Sequence, residues 1–281
     1  MTLCFLIYPL LINQACGDGS DQFLDNGITA HRGDSGTFPE NTLTAFASAI
    51  EIGADWIELD LLRTADHQLI VIHDETTGRT GDRNLRVSQS TFEAIQAVDV
   101  GTGYRREKNL TKKDCPPQCA PSLQEVLSLV MKQTKTRVSI QPKMDCVEDA
   151  VKVIRELNAM PWIGFNDGNL NLMIKAKRLA PEAVIFWDRG QKTNLKQDIQ
   201  TAVKHDFHAL IFQHQGLNEE KIKQTQAAGL QAGAWTVNEP NKIETLLKMG
   251  INRIYTDYPA RMKQIILDHQ IQTEKENKAQ E

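Results

Sequence analysis

The sequence predicts an α/β fold, a (β/α)8 TIM-type barrel with a small excursion beside it. Its 281 residues match the length that α/β barrels use for a single domain. From residue 28 onward, short β-like runs alternate with longer amphipathic stretches, the pattern of a parallel sheet with helical crossovers. The eight candidate strands are ITAHRG, WIELDLL, RVSIQPK, WIGFN, AVIFWD, ALIFQH, QAGAWTV and RIYTD.

Helical segments lie between most of the candidate strands. Several begin after Ser, Asn or Asp, and two close on Gly229 and Gly250, which is the usual chemistry of helix caps. Repeated strand and helix units of this kind build the barrel. The clearest helical segments are SLQEVLSLVMKQ, VEDAVKVIREL, GNLNLMIKAKRLA, NEEKIKQTQAAG and NKIETLLKMG.

One apolar run does not fit the alternation. QLIVIHD follows the second strand after only RTADH, which is too short for a crossover helix. We therefore predict an added strand or hairpin arm there. Residues 75–121 follow it, rich in Gly, Thr, Arg, Lys and Pro, and they show no strand and helix unit. We predict that they form the excursion, beside the mouth of the barrel.

The two ends of the chain differ in composition from the predicted barrel. We assign residues 28–270 to a single barrel domain, residues 271–281 to a polar tail and residues 1–16 to an export segment. The apolar run LCFLIYPLLI is too short to span a bilayer and is followed by small and polar residues, which is typical of an export signal. Cys16 resembles the acylated cysteine of a bacterial lipoprotein signal, although Asn13 stands where that signal has Leu, Ile or Val. A plain cleaved signal with an incidental cysteine is the alternative.

Composition limits the class of protein. Hydrophobic residues make up 41% of the chain, charged residues 24%, and the net charge is −4, so a large core is possible and no basic patch indicates nucleic acid. The five cysteines are too few for a disulfide scaffold. Cys115 and Cys119 would form a local disulfide in an exported chain or stay reduced, and we expect Cys146 to be a small buried residue.

Polar and aromatic residues stand at the ends of the predicted strands. In barrel enzymes the reactive residues lie at these ends, where strands pass into loops. The sequence therefore predicts a polar site at one end of the barrel. The residues in question are His31, Arg32, Glu58, Asp60, Gln141, Lys143, Asn166, Asp188, Gln213, His214, Trp235 and Asp257.

Glu58 and Asp60 stand two apart in the otherwise apolar strand WIELDLL. Because residues i and i+2 of a strand share a face, both carboxylates point to one place. Oxygen ligands suit Mg²⁺ or Ca²⁺, with Mn²⁺ as a further candidate, and Gln141 offers a third oxygen. The alternative is a buried ion network without a metal. The basic residues for such a network are Arg32, Arg63 and Lys143.

His31 and His73 close the first strand and the added run. Two imidazoles near a cation permit one to act as general base and the other as general acid at neutral pH. Arg32 has the planar fork that grips two phosphate oxygens, and Lys143 is a point charge suited to the same anion. These residues predict an anionic substrate.

These residues carry a family resemblance. The segment that begins AHRGDSGTFPENT and continues through WIELDLLRTADHQLIVIHDETTGRT closely resembles the glycerophosphodiester phosphodiesterase family, with HRG, PENT, E-x-D and HD elements in order. The resemblance extends less densely over residues 28–265. It implies a (β/α)8 barrel, a divalent metal ion, and hydrolysis of a glycerol phosphodiester to glycerol 3-phosphate and an alcohol. It also implies an excursion after the HD element.

The resemblance also implies roles for individual residues. His31 and His73 match the catalytic histidines of the family, and Glu58 and Asp60 match two metal ligands. Gln141 departs from the family, which has a Glu as third ligand at this position. A glutamine keeps an oxygen but loses a charge, so we expect weaker cation binding unless another acid or the substrate phosphate compensates.

The remaining matches surround these residues. Arg32 and Lys143 match the phosphate contacts of the family. Glu40 in the PENT element is expected to support Arg32 or its loop, and Trp235 to form a wall of the substrate pocket or simply an aromatic of the barrel mouth.

Other functions stay open at this stage. The same barrel would serve a phosphodiesterase that acts on an intact phospholipid or a surface glycopolymer. A non-catalytic envelope barrel that binds phosphoesters or a protein partner is the alternative of another class, motivated by Gln141 and the possible lipid anchor at Cys16. The sequence favours a glycerophosphodiester hydrolase that is exported, either periplasmic or anchored to a bacterial envelope.

Overall fold

The structure, a computed structural model, describes residues 23–280, with side chains for all of these except residues 273 and 276–280. Eight parallel strands close into a barrel, because the first strand pairs with both the last strand and the second. The predicted (β/α)8 fold is confirmed. The strands are β1 Ile28–Ala30, β2 Trp56–Arg63, β3 Leu69–Val71, β4 Arg137–Pro142, β5 Ile163–Asp167, β6 Val184–Arg189, β7 Ala209–Gln213, β8 Gln231–Trp235 and β9 Arg253–Thr256.

Strand β3 lies outside the parallel barrel. It pairs antiparallel with β2, and Leu62 stands opposite Ile70. The hairpin arm predicted for QLIVIHD is therefore present. A short connection can join antiparallel strands, whereas a parallel neighbour needs a crossover. This arm carries His73 to the same end of the barrel as the carboxyl end of β2.

Helices cover the outside of the barrel, and every helical segment predicted above overlaps one of them. Ser122 and Glu125 form a capping box at the start of α4, and Gly53 closes α1 in the left-handed region at φ 84°. The helices are α1 Leu43–Ile52, α2 Phe92–Gln96, α3 Gly101–Lys108, α4 Leu123–Val130, α5 Val147–Glu156, α6 Leu170–Leu179, α7 Leu195–Lys204, α8 Glu219–Ala227, α9 Pro240–Lys248 and α10 Pro259–Gln280.

Residues 75–121 contain α2 and α3 but no strand. Their apolar side chains pack with those of the β2 and β3 hairpin into a cluster separate from the main core. We call this group the side cluster. Its buried members are Leu62, Ile70, Ile72, Val87, Ile95, Val98, Val100 and Ala120.

A buried ion pair lies inside the barrel at its other end. Arg253 on β9 is 2% exposed, and its Nη1 lies 3.0 Å from Oδ2 of the fully buried Asp55. The guanidinium also stands over the rings of Trp56 and Phe186, at 5.8 and 5.2 Å from their centroids. Polar side chains therefore occupy both ends of the barrel, and the cavity with the candidate reactive groups opens at the end opposite this ion pair.

Cys115 and Cys119 are free thiols in the structure, the first buried and the second exposed, so the disulfide alternative is not realised there. Cys146 is buried, as expected. The export segment at residues 1–16 lies outside the described residues. Within residues 23–280, no helix is both long and apolar enough to cross a bilayer.

Candidate active site

A cavity of about 340 Å³ opens at the carboxyl ends of the strands. A larger outer groove of about 990 Å³ lies between α1 and α4 and is lined by none of the predicted site residues, so we place the chemistry in the smaller cavity. The lining of the smaller cavity comprises His31, Arg32, Glu58, Gln141, Lys143, Asn166, Gly168, Asp188, Arg189, Gly190, Trp235, Thr236 and Tyr255.

The structure therefore brings six of the nine predicted site residues to one cavity wall. Asp60 lies below this lining, fully buried, in contact with two of the residues above it. His73 and Glu40 are not part of the lining. Glu40 contacts Arg32, and His73 lies near enough for the charges of the site to shift its pKa.

Asp60 is surrounded by positive groups and amide donors. Its Oδ2 accepts a hydrogen bond from Asn41 Nδ2 at 2.8 Å and lies 3.2 Å from Arg32 Nε, while its Oδ1 lies 3.5 Å from Lys143 Nζ. Part of the predicted ion network is thus present. Oδ1 is buried and has no hydrogen-bond partner among the described residues. Lys143 is its charge partner but makes no hydrogen bond to it, so this oxygen still has the capacity to bind a ligand.

Glu58 lies beside Asp60 on the same face of β2. Burial and the charge of Asp60 raise the pKa of Glu58 to about 7, although His31 and Arg32 oppose this shift. Its Oε2 accepts a hydrogen bond from the backbone N–H of Arg32 at 3.0 Å. Arg32 has φ 57°, in the left-handed region, so this turn directs both its amide and its side chain toward the carboxylates.

Arg32 and the excursion are linked through Glu40. Arg32 Nη1 donates to Glu40 Oε1 at 3.0 Å, and Arg79 donates to both oxygens of Glu40 at 2.7 Å. Arg79 also donates to Asp74 at 2.6 Å. This chain of ion pairs connects the loop after β1 with the loop after β3, which carry the two histidines.

Each histidine is held at Nδ1 by a carboxylate. His31 Nδ1 lies 2.7 Å from Asp257 Oδ1, and Asp257 is held in turn by Asn238 Nδ2 at 2.6 Å and Ser35 Oγ at 3.1 Å. His73 Nδ1 lies 2.5 Å from Asp74 Oδ1. A carboxylate at Nδ1 fixes the tautomer in which Nδ1 carries the proton, which leaves Nε2 as the nitrogen for proton transfer.

The surroundings shift the two histidines in opposite directions. Burial lowers the pKa of His31, but the hydrogen bond to Asp257 and the charge of Glu58 outweigh it, so the pKa is raised. Burial lowers the pKa of His73, and the charges of Arg32 and Lys143 add to it, outweighing Asp60 and Asp74. His31 therefore holds its proton to higher pH than His73 does, the difference that a general acid and a general base require.

Asp188 is a carboxylate that sequence reasoning placed at a strand end without a role. Its Oδ2 accepts hydrogen bonds from Gln141 Nε2 at 3.1 Å and Asn166 Nδ2 at 3.3 Å. Burial raises the pKa of Asp188 to about 8. The hydrogen bond from Asn166 opposes this shift, and the charges of Asp167 and Glu58 add to it. Asp257 also stands at a strand end, but no local feature of the sequence indicates its contact with His31.

The donor set fits a hard divalent cation in its chemistry. Glu58 and Asp60 supply carboxylate oxygens and Gln141 an amide oxygen, which now accepts from Lys143 Nζ at 2.9 Å. The buried Asp60 Oδ1 without a hydrogen-bond partner is the observation that favours a cation here. Across residues 23–280, no three Asp, Glu, His or Cys side chains already stand at the spacing of a metal site. Binding would therefore require side-chain rotation.

Comparison with known proteins agrees on one family. The profile of the glycerophosphoryl diester phosphodiesterase family matches residues 31–261. The chain is 29% identical to a glycerophosphodiester phosphodiesterase of Caldanaerobacter subterraneus over 246 residues, which cover 85% of this chain and 97% of that protein. It is also 29% identical to a glycerophosphodiester phosphodiesterase of Bacillus altitudinis, with coverage of 85% and 97%.

Solved structures share the fold. An Oleispira antarctica phosphodiesterase in complex with the product sn-glycerol-3-phosphate superposes with a TM-score of 0.74 at 21% identity, covering 88% of this chain and 98% of that chain. A glycerophosphodiester phosphodiesterase from Thermotoga maritima gives a TM-score of 0.68 at 20% identity, with coverage of 85% and 97%.

Proposed function

The chain belongs to the glycerophosphoryl diester phosphodiesterase family and is a phosphoric diester hydrolase, and from that premise we propose that it hydrolyses glycerophosphodiesters to sn-glycerol 3-phosphate and an alcohol in a cation-dependent reaction. The observation that carries this proposal is one small cavity whose lining includes the basic residues Arg32 and Lys143, the acids Glu58 and Asp188, and His31. The second histidine lies beside it. The product complex of the Oleispira antarctica relative supports the substrate class.

We assign the phosphodiester to the cationic side of the cavity. Arg32 and Lys143 line it and present guanidinium and ammonium groups to an anion. Charge that develops on the phosphoryl oxygens in the transition state would meet these preorganised groups. Glu58, Asp60 and Gln141 would hold a divalent cation, and the cation would neutralise part of the phosphodiester charge when bound. Trp235 also lines the cavity and would contact the glycerol or the leaving alcohol.

The two histidines suit opposite proton transfers. We assign His73 as general base, since its lowered pKa favours the unprotonated Nε2, and His31 as general acid, since its raised pKa lets it hold a proton to higher pH than His73 does. His73 would take the proton of the nucleophile, and His31 would give its proton to the leaving alkoxide. The nucleophile is either water or the glycerol 2-hydroxyl, which would pass through a cyclic phosphate.

The direct test is release of sn-glycerol 3-phosphate from glycerophosphocholine and glycerophosphoethanolamine. The purified chain is stripped of metal and then supplied with Mg²⁺, Ca²⁺ or Mn²⁺. We expect turnover with at least one metal and none after removal by chelator. Silence with both substrates and all three metals would contradict the proposed function.

Activity should depend on pH as a bell. We expect the rate to rise as His73 loses its proton below its usual pKa of about 6.5, and to fall as His31 loses its proton above that value. The maximum of the rate would thus lie between the pKa of His73 and the higher pKa of His31. Measurement of kcat against pH in buffers of constant ionic strength checks this, and a rate that falls steadily from acid to alkaline pH would contradict the assignment.

Asp257 and Asp74 provide a matched pair of variants. Asp257→Asn removes the charge that raises the pKa of His31, so the alkaline limb should move to lower pH and kcat should fall by about ten- to a hundredfold. Asp74→Asn removes a charge that raises the pKa of His73, so the acid limb should move to lower pH instead. If both substitutions move the same limb, Asp257 is not the partner that positions the general acid.

We also propose export, on the apolar run and the small and polar residues that follow it. Cell fractionation would find the chain outside the cytoplasm, and Cys16→Ser would release it from membranes if Cys16 is the acylated residue. Release of the wild-type protein in soluble form would favour a plain cleaved signal. Retention of the intact chain in the cytoplasm would contradict export.

A further inference from the structure

We infer that Asp188 is a further ligand of the cation site and supplies the acidic charge that Gln141 lacks. This inference rests on the cation of the proposed function. It assigns a binding role to a residue on β6, three strands along the barrel from β2, which carries Glu58 and Asp60. The argument depends on the position of Asp188, the orientation of Gln141 and the balance of charge in the cavity.

Asp188 shares the cavity lining with Glu58 and Gln141. Gln141 stands opposite Asp60 in the register of β2 and β4, so its side chain lies between the two acids of β2 and the acid of β6. Gln141 Nε2 donates to Asp188 Oδ2 at 3.1 Å. The carboxylate of Asp188 is therefore already in contact with Gln141, the third member of the donor set.

The hydrogen bonds to Asp188 leave one oxygen for a ligand. Both amide donors, Gln141 Nε2 and Asn166 Nδ2, bind the same atom, Oδ2. None of the hydrogen bonds between described side chains ends on Oδ1. The two amides thus hold the carboxylate in place by one oxygen. Metal ligands in other proteins are oriented in the same way, by hydrogen bonds from groups that do not contact the metal.

Asp60 gives an independent indication of a ligand. Its Oδ1 is fully buried without a hydrogen-bond partner among residues 23–280, and its charge is met by Lys143 Nζ at 3.5 Å. An oxygen of this kind is costly unless something binds it. Because Asp60 is directly opposite Gln141, a cation bound by Asp60 and Glu58 would lie on the side of β2 that faces Asp188.

Charge balance also favours Asp188. Two basic side chains of the lining, Arg32 and Lys143, already stand beside Asp60, so a divalent cation held by Glu58 and Asp60 alone would lie next to positive charge. A cation beside a carboxyl group favours its ionised form, so Asp188 would bring a further negative charge to the lining when the cation binds. Arg189, a further basic residue of the lining, is paired with Asp198 at 2.9 Å. Hard cations bind most tightly where carboxylate charge is available.

The test is cation binding, measured apart from catalysis. We would titrate the metal-free full chain with Mn²⁺ by calorimetry and follow bound Mn²⁺ by electron paramagnetic resonance, with and without sn-glycerol 3-phosphate. Asp188→Asn should weaken Mn²⁺ binding by about tenfold or more. Asp188→Asn with Gln141→Glu should restore it to within about threefold, because the acid is returned to the adjacent strand.

Asp167→Asn is the matched control. It removes the same charge at the same end of the barrel, from a side chain that accepts from the backbone of Asn169 and does not contact Gln141. We expect Mn²⁺ binding to change by less than about threefold. The thermal midpoint of each metal-free variant shows whether it is folded. Equal affinity of Asp188→Asn and wild type, or equal losses in Asp188→Asn and Asp167→Asn, would overturn the inference.

The two proposals fail in different ways. If wild type hydrolyses glycerophosphodiesters but binds no Mn²⁺, the cation-ligand role of Asp188 is overturned and the substrate assignment stands. If wild type binds Mn²⁺ through Asp188 but releases no sn-glycerol 3-phosphate, the inference stands and the proposed function fails.

Discussion

Replacement of His73 with alanine is expected to lower kcat for glycerophosphocholine hydrolysis by about two to four orders of magnitude. Asp74 holds Nδ1 of His73 at 2.5 Å, and the lowered pKa keeps the ring ready to accept a proton. Alanine removes the base without removing any group that binds the phosphate. KM should therefore change much less than kcat. Initial rates over a range of substrate concentrations separate the two.

His31→Ala should cause a loss of the same size, because the leaving alkoxide would depart without a proton. His205→Ala is the control, since His205 caps α7 away from the cavity. We expect its kcat to stay within about twofold of wild type. Losses of less than tenfold for both His31→Ala and His73→Ala would sink the acid and base assignment.

The largest loss of stability is expected from Asp55→Asn. Removal of one partner from a buried ion pair costs about 3–5 kcal/mol, because the other charge is left without compensation in a medium of low polarity. Arg253 cannot shed its proton and is 2% exposed. Burial raises the pKa of Asp55 although the charge of Arg253 opposes this. The attraction between the two charges therefore does not offset the free energy lost when Asp55 is removed from water. The expected loss is thus the cost of a buried Arg253 whose remaining acidic partner, the exposed Asp25, stands 3.6 Å away.

Urea unfolding followed by circular dichroism measures this loss. Asp149→Asn is the matched control, since it breaks the pair of Asp149 with Arg63 at 2.6 Å, where the Asp149 side chain is 44% exposed. Exposed pairs contribute at most about 1 kcal/mol to the free energy of unfolding. If Asp55→Asn loses no more stability than Asp149→Asn, the pair inside the barrel is not a structural requirement.

The strands of this fold can be predicted from the sequence because parallel strands that are buried on both faces appear as short apolar runs. The arm β3 can be predicted for a different reason. The five residues RTADH that precede it are too few for a crossover helix. The ends of these strands also indicated which polar residues would meet, since all parallel strands of a barrel end at one rim. Glu58, Gln141 and Lys143 lie together for this reason.

The contacts between side chains of the site could not be predicted from the sequence. His31 and Asp257 contact each other across 226 positions of sequence, and Asp188 reaches Gln141 across 47. Such contacts depend on how the barrel closes and which rotamer each side chain adopts, and neither follows from local periodicity. Asn41 is a further example, because its contact with Asp60 depends on a left-handed backbone at φ 56°.

The side cluster gives the excursion a stability of its own. It holds only a few buried apolar residues, and the excursion otherwise meets the site through ion pairs of Arg79 and a hydrogen bond from Tyr104 to the backbone of Thr37. Segments with small cores open at lower free energy than the whole domain. Amides of α2 and α3 should therefore exchange with deuterium well before those of β4 to β8. Gentle warming would then abolish turnover while the barrel keeps its circular dichroism.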